Sequence, residues 1–370
     1  MKTTISNLME DVGPIFEADR FLILIGKPGA GKSSLSHAIG AVTGRRVMML
    51  NFSGAGPCEA AGYGVPHEAG GKSENDVSFY DMAFAAPDVL PLLRRVGDEP
   101  IMLVADEFTD WPPAVQSLFR GAFDTGSGKM VGTHRLGSNV RIMITGNRKE
   151  DGSKLSAILP APMVGRGTQF ELDPNVGDWT SWFQKKYPVS KSPVATFLAY
   201  GQAQVNRKEL ETDFFCPPVT QPWDGNPYPS PRGWEAVAIM DSTRRDNRKS
   251  FARLVRGTVG DAAADAFLAF ASHSDKVPDV AKLISGEIEL PADGAEQYAW
   301  ANAILIHALN QCSKDRAATE VKKGGFDWLA DLIKKMRGDI AAFVISSVIN
   351  NEIPLDTHPA IADLYLAMNA

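Results

Sequence analysis

Cysteine is scarce in this chain: there are three in 370 residues, Cys58, Cys216 and Cys312, and no two share a C-x-x-C spacing. This excludes a disulfide framework and a cysteine-based zinc site, and it fits a reducing compartment. Excess positive charge is also missing. Lys and Arg total 38 against 44 Asp and Glu, a net charge of −6, which counts against a dedicated nucleic-acid binder. The pairs Arg45-Arg46 and Arg94-Arg95 read as solvated surface. No apolar run approaches the roughly 20 residues needed to span a bilayer, and the opening MKTTISNLMEDV has no hydrophobic signal segment. A cytoplasmic location without a membrane part is expected.

What is present is ordinary in bulk and specific in detail. With 44% hydrophobic and 22% charged residues, the composition is that of a globular chain, long enough for two or three domains. Residues 21–25 (FLILI) run directly into GKPGAGKS at 26–33, a match to the phosphate loop G-x-x-x-x-G-K-[ST] in the context that motif requires. The apolar run predicts a buried strand. Residues 35–42 predict a helix that Gly44 ends through a left-handed cap. Backbone N–H groups at a helix N-terminus cradle a polyphosphate. The loop residues Gly26, Pro28, Gly29, Ala30, Gly31, Lys32, Ser33 and Ser34 are therefore the candidate ATP contacts, with Lys32 at the β- and γ-phosphates and the Ser33 hydroxyl on Mg²⁺.

The next strong feature is IMLVADE at 101–107, an apolar strand ending in two carboxylates at the edge where parallel sheets bind ligands. Beside a phosphate loop, Asp106 would hold Mg²⁺ and Glu107 would deprotonate an attacking water. A kinase acting on a small molecule has no use for such a Glu, so hydrolysis is the expected reaction. Residues 141–145 predict another buried strand, and Asn147 just beyond its tip is placed to touch the γ-phosphate or the attacking water. A helix opens at Pro112-Pro113, with Pro in the first turn, and 129–136 (KMVGTHRL) predicts a β-hairpin. Residues 53–76, rich in Gly and Ala and weakly periodic, read as a loop or insertion containing the lone His67. Before the first strand, Val12, Ile15 and Phe16 would pack either beside the nucleotide base or simply into the core.

The series GKPGAGKS, VADE, PPAVQSLF, HRL, ITGNRKED and LPAPMVGR resembles the MoxR-like branch of the AAA+ ATPases, whose members often act with a von Willebrand factor A-type partner. The resemblance implies that Asn147 is sensor 1 and that Arg166 is the finger reaching a neighbouring subunit's γ-phosphate, with Arg148 in reserve. It also implies that Arg232, in S-P-R-x-W at 230–234, is sensor 2 in a lid domain. The chain departs from the family pattern twice. Phe108-Thr109-Asp110-Trp111 replaces a polar-Arg step after Asp-Glu, and Gly165 and Gly167 flank Arg166 where Asn and Phe are expected.

The expected fold is therefore α/β: a P-loop NTPase (AAA+) core with a parallel sheet over 1–174, a helical lid over 175–275, and a helical C-terminal extension over 276–370. Residues 167–172 predict the last core strand. Helices are predicted over 178–187, 192–205, from Pro231, over 261–271, 298–309 and 326–348, with Trp234, Val237 and Met240 as lid core. Cys312, His307 and His358 read as structural. The implied activity is Mg-ATP hydrolysis by a homo-oligomer, a hexameric ring by resemblance, that remodels a partner protein. The alternatives are a nucleic-acid motor of the related helicase clade, using the 129–136 hairpin on DNA, and an ATP-gated scaffold with negligible hydrolysis.

Overall fold

A computed structural model gives the fold of the chain. It describes residues 1–54, 56, 63–72, 78–85, 98–123, 128–131, 134–148, 159, 161–188, 190–211, 214–217, 225–241, 247–311, 321 and 324–369, with 63–72, 78–85, 134, 363 and 367–369 by backbone only. Cys58, Cys312, Arg94 and Arg95 lie outside these residues. The chain divides into two compact units, one of Met1–Asp173 and one of Pro174–Pro218 with Trp223–Ala370.

The first unit is a six-stranded parallel sheet. Its strands are β1 (Lys2–Thr3), β2 (Phe21–Gly26), β3 (Arg46–Leu50), β6 (Ile101–Ala105), β9 (Val140–Gly146) and β10 (Gly167–Leu172), in the spatial order β1-β10-β2-β9-β6-β3. Strand β9, late in sequence, lies between the phosphate-loop strand β2 and the Asp-Glu strand β6. The apolar run at 21–25 is continuous because both faces of β2 are covered. Phe21 and Ile23 pack with Leu103, Ile142 and Ile144 on one face, and Leu22 and Leu24 pack with Met102, Val104 and Met143 on the other.

Helices α1 (Ile5–Glu17) and α2 (Lys32–Val42) supply Leu8, Val12, Phe16, Leu35 and Ile39 to that second face. Val12, Ile15 and Phe16 are thus core residues, the simpler of the two expectations. Helix α2 ends as its sequence predicts. Gly44 has φ 62°, the Arg45 amide donates to the Gly40 carbonyl at 2.8 Å, and the Gly44 amide donates to Ala41 at 3.3 Å, the paired bonds of a Schellman cap.

Two expectations for this unit need correction. The segment before the first apolar strand is more than packing, because Lys2 and Thr3 pair with Glu171 and Leu172 as an edge strand. The 53–76 stretch is not simply a loop: β4 (Tyr63–Lys72) pairs antiparallel with β5 (Ser78–Ala85). A two-stranded ribbon needs only main-chain pairing, so weak apolar periodicity concealed it. The shorter hairpin read at 129–136 is present as β7 (Met130–Val131) and β8 (His134–Arg135).

The second unit is helical throughout its described residues. The larger helices are α5 (Val176–Lys186), α6 (Val194–Asn206), α7 (Pro231–Met240), α8 (Arg248–Val259), α9 (Asp261–Ser274), α11 (Gly294–Gln311), α12 (Asp327–Lys335) and α13 (Gly338–Asn350). The short α3 (Pro113–Leu118) and α4 (Ala161–Val164) belong to the first unit, and α10 (Val280–Ile284) and α14 (Ala362–Asn369) to the second. One hydrophobic cluster runs from Val176 to Ile361 and includes Trp234 and Val237, with Met240 packed against it.

The helix expected over 326–348 is two helices. Met336 (ψ 160°) and Arg337 (ψ 148°) are both extended and break it. The charges mark the break, with Lys334 and Lys335 in the last turn of α12 and Asp339 in the first turn of α13, each matching its helix dipole. His358 is buried with its Nε2 3.0 Å from Asp327 Oδ1, and His307 meets Trp328 edge-on. Among the described residues no helix is long and apolar enough to cross a membrane.

Trp234 is fully buried against Phe197 and Phe267, and its indole N–H donates to the Phe214 carbonyl at 2.7 Å. Trp234→Ala should cost about 3–5 kcal/mol, read as an earlier unfolding transition of the helical signal by circular dichroism. A loss below about 1 kcal/mol would contradict the central place given to this ring.

Candidate active site

Three adjacent parallel strands deliver their C-terminal ends to one place. From β2 comes the loop 26–32, from β6 come Asp106 and Glu107, and from β9 comes Asn147. The loop depends on glycine at two points. Gly29 (φ 74°) and Gly31 (φ 92°) are left-handed, and Gly31 is the N-cap of α2, so the helix N-terminus faces the hollow of the loop. Ala30 is buried, Pro28 and Ser33 are half-buried, and Ser34 is exposed on α2.

Lys32 is 7% exposed. Its Nζ donates to the carbonyls of Gly26 and Lys27 and to Asn147 Oδ1, each at 2.8 Å. Ser33 Oγ donates to Asp106 Oδ1 at 2.9 Å, and Thr145 Oγ1 donates to the same oxygen at 2.6 Å. Thr145 Oγ1 also accepts the Glu107 amide at 2.9 Å. Glu107 has a left-handed backbone (φ 53°, ψ 34°), costly for a residue with a Cβ. Its exposed carboxylate accepts from Asn51 Nδ2 at 3.3 Å, just beyond the end of β3. The strands therefore bring Lys32, Ser33, Asp106, Glu107 and Asn147 together.

A Ser hydroxyl on a carboxylate forms a pair of hard oxygen donors, and that chemistry fits Mg²⁺, which takes few protein ligands and completes its shell with phosphate and water. Among the described residues no group of three or more His, Cys, Asp or Glu is arranged to hold a metal.

The departure at 108–111 has a local purpose. Phe108 and Trp111 are buried in the core against Phe123 and Phe119, and the Trp111 indole donates to the Asp106 carbonyl at 2.9 Å. Between them, Thr109 Oγ1 accepts the Asn147 amide at 3.1 Å and Asp110 Oδ2 accepts from Asn147 Nδ2 at 3.3 Å. Gly146 makes this approach possible, since a Cβ there would lie 2.5 Å from Thr109 Cγ2. Sequence reading missed Thr145, Thr109, Asp110 and Asn51. Thr109 and Asp110 stood out only as a departure from the family pattern, and Thr145 is placed by the strand register, Ala105 against Ile144, which sets Asp106 beside it in the next rung.

No family model matches the chain, and no curated protein matches it. Among solved structures, a crystal structure of NtrX from Brucella abortus in complex with ADP is similar over 98% of this chain at 13% identity, with a TM-score of 0.35. This chain spans 66% of that one. A likeness so distant carries no argument about activity, which rests on the geometry of the site.

The arginines separate by sheet edge. Arg148 follows β9 and forms a salt bridge with Glu171, whose strand register sets it beside Ile25 at the phosphate-loop edge. Arg166 precedes β10, whose first residue Gly167 pairs with Phe21 and whose last, Leu172, pairs with Gly26. It thus sits at the opposite edge of the sheet, about 20 Å from the loop at roughly 3.3 Å per residue. Arg20 holds its surroundings, donating to the Gly165 carbonyl and to Thr168 Oγ1, both at 3.2 Å. The glycine at 167 is required because Phe21 fills the space, with ring carbons 2.6 and 2.9 Å from a Cβ there. No hydrogen bond or ion pair engages the Arg166 guanidinium among the described residues. Arg232 is exposed in the first turn of α7, which Ser230 caps by accepting the Gly233 amide at 3.1 Å.

Thr145→Val would remove the bond to Asp106 and leave the Glu107 amide without its acceptor. A stability loss of about 1–3 kcal/mol is expected, measured as a lowered unfolding midpoint with the far-ultraviolet spectrum preserved. An unchanged midpoint would mean that Thr145 does not hold the two carboxylates.

Proposed function

We propose that this chain is an AAA+ ATPase of the MoxR-like type, using Mg-ATP hydrolysis in a homo-oligomeric ring to remodel a partner protein. The observation that carries it is the hydrogen-bonded convergence of Lys32, Ser33, Asp106 and Asn147 with Glu107 at one edge of three neighbouring strands. Loop amides and Lys32 bind and orient the phosphates. Ser33 and Asp106 would hold Mg²⁺, which would offset phosphate charge. Glu107 accepts a proton from a water whose oxygen bonds to the γ-phosphorus. The bond from that phosphorus to the bridging oxygen breaks, and its electron pair leaves on ADP.

The position of Arg166 supports an oligomer. It stands at the far edge of its own sheet, and among the described residues nothing engages its guanidinium, which suits service to a neighbour's γ-phosphate. Arg148 is bound in cis by Glu171 and does not suit that role. Arg232 is kept as the sensor 2 candidate on the resemblance. A hexamer and a von Willebrand factor A-type partner rest on the resemblance as well. The motor alternative is weakened because Lys129, at the base of the hairpin, is engaged by Asp19 and by the Val140 carbonyl. The departure at Thr109 and Asp110 lends the scaffold alternative no support, since both residues bond to Asn147.

Glu107→Gln should lower ATP turnover by about 100-fold or more while ATP binding, followed by equilibrium titration, persists. Unchanged turnover would remove Glu107 from the reaction. Arg166→Ala subunits mixed with Glu107→Gln subunits should hydrolyse ATP faster than the sum of the two alone. Intact assembly without that gain would sink the action in trans.

A further inference from the structure

Lys129, Arg135 and Arg141 line one pocket of about 490 Å³, with Asp19 as its single carboxylate among the described residues. It lies at the sheet edge opposite the phosphate loop, where Asp19 precedes β2 and Arg141 stands second in β9. Two of the cations are fixed by backbone oxygens. Arg141 donates through Nε to the Phe16 carbonyl at 2.7 Å and through Nη1 to that of Ser138 at 2.8 Å, and Lys129 donates to the Val140 carbonyl at 3.1 Å. Asp19 pairs with both cations, which leaves the lining two positive charges in excess. Arg135 is held by shape instead. Its pairing with Met130, and the Leu136 amide donating to the Lys129 carbonyl at 2.7 Å, fix its backbone at the base of the hairpin. Gly128 (φ 85°) lies against its guanidinium, where a Cβ would stand 3.1 Å from Nη2 and 3.2 Å from Nε. Among the described residues no hydrogen bond or ion pair engages that guanidinium. Nearby, Arg45 donates to the Asn139 carbonyl at 2.9 Å, and burial together with the Arg141 charge lowers its pKa.

We propose that this pocket binds a small oxyanion, a phosphate ester or a dicarboxylate, on the Arg135 guanidinium, with Lys129 and Arg141 supplying the surrounding positive charge. Both ligand types share the chemistry that matters here, paired oxygens bearing negative charge, which the planar guanidinium fork binds two at a time. The chain as a whole carries a net charge of −6, so the excess of cations at this pocket is local and draws anions to it against the general field. Asp19 relieves the repulsion between Lys129 and Arg141, and it leaves the fork at Arg135 for the ligand. Lys129 also keeps a third hydrogen beyond those its two partners take. Among the described residues no aromatic ring lines the pocket, and Leu136 is its one apolar side chain. Recognition therefore falls on the charged group, since a base has no ring to stack on. The inference does not depend on the ATPase reading, because the pocket and the phosphate loop stand at opposite edges of the sheet.

The test titrates inorganic phosphate and, separately, succinate into the full chain in excess ADP, with chloride holding the ionic strength constant, and reads binding by calorimetry. At least one of the two anions should bind the parent protein, and Arg135→Gln should weaken that binding about tenfold or more. Arg135→Lys keeps the charge without the fork and should recover only part of the loss. Arg135 is exposed, so both variants should keep the parent's thermal midpoint. Binding of phosphate alone assigns a phosphate ester, binding of succinate alone a dicarboxylate, and binding of both their shared chemistry; each supports the proposal. Equal affinity in parent and Arg135→Gln overturns it, because the anion then sits elsewhere, as at the phosphate loop. Binding of neither anion overturns it too. So does capture of an oligonucleotide or of polyglutamate in place of both, which marks an open charged surface. If ADP itself does not bind, the nucleotide reading falls, and the comparison of parent with Arg135→Gln still judges this pocket.

Discussion

The ammonium group of Lys32 is the constraint on which the first unit's active edge depends. It is nearly withdrawn from solvent, and a buried charge is tolerated only where its hydrogens meet acceptors. The oxygens that meet it include two from the phosphate loop and one from Asn147. The first two bend the loop back on its own lysine, and the third ties the loop to β9. A shift of β9 along the sheet would therefore open the loop as well. The loop and the neighbouring strand are in this way held by one ammonium group.

The same economy explains the parallel sheet. Each strand ends at the same edge, so residues more than a hundred positions apart, such as Lys32 and Asn147, meet without any long excursion of the chain. β9 occupies the middle place and can bond to both sides: Asn147 reaches Lys32 on the β2 side, and Thr145 reaches Asp106 on the β6 side. Thr145 also braces the left-handed turn at Glu107 by accepting its amide, so the strain at that residue is held by a hydrogen bond from the adjacent strand.

Much of this unit was legible because its signals are local. The loop motif, the Asp-Glu strand end and the Gly44 cap each lie within about ten residues and carry their own chemistry. Strand β10 was read with its true bounds, since GTQFEL is apolar in alternation and closes at Asp173-Pro174. The contacts among Thr109, Asp110 and Asn147 were not legible. They depend on how a 3₁₀ turn at Phe108–Asp110 lands on a strand 37 or 38 residues later. The edge strand at Lys2–Thr3 was missed because two residues carry no periodicity. The break at Met336 and Arg337 was missed because apolar spacing continues through it, although the charges on either side record it.

The sheet topology places Arg148 and Arg166 at opposite edges. By sequence, Arg148 and Arg166 were competing candidates for one role, and neither flank of Arg166 matched the expected pattern. The direction of β10 separates them. An arginine following a parallel strand stands at the ligand edge of its own sheet, as Arg148 does, and there Glu171 takes it. An arginine preceding such a strand stands at the other edge, beyond the reach of its own phosphate loop for any side chain of its length. The glycine after it is explained by Phe21 on the neighbouring strand, whose ring occupies the space a Cβ would need. The backbone around Arg166 is held by Arg20, and among the described residues no hydrogen bond or ion pair engages its guanidinium. Arg166 is thus half-buried on a held stretch of backbone, at the sheet edge opposite its own phosphate loop.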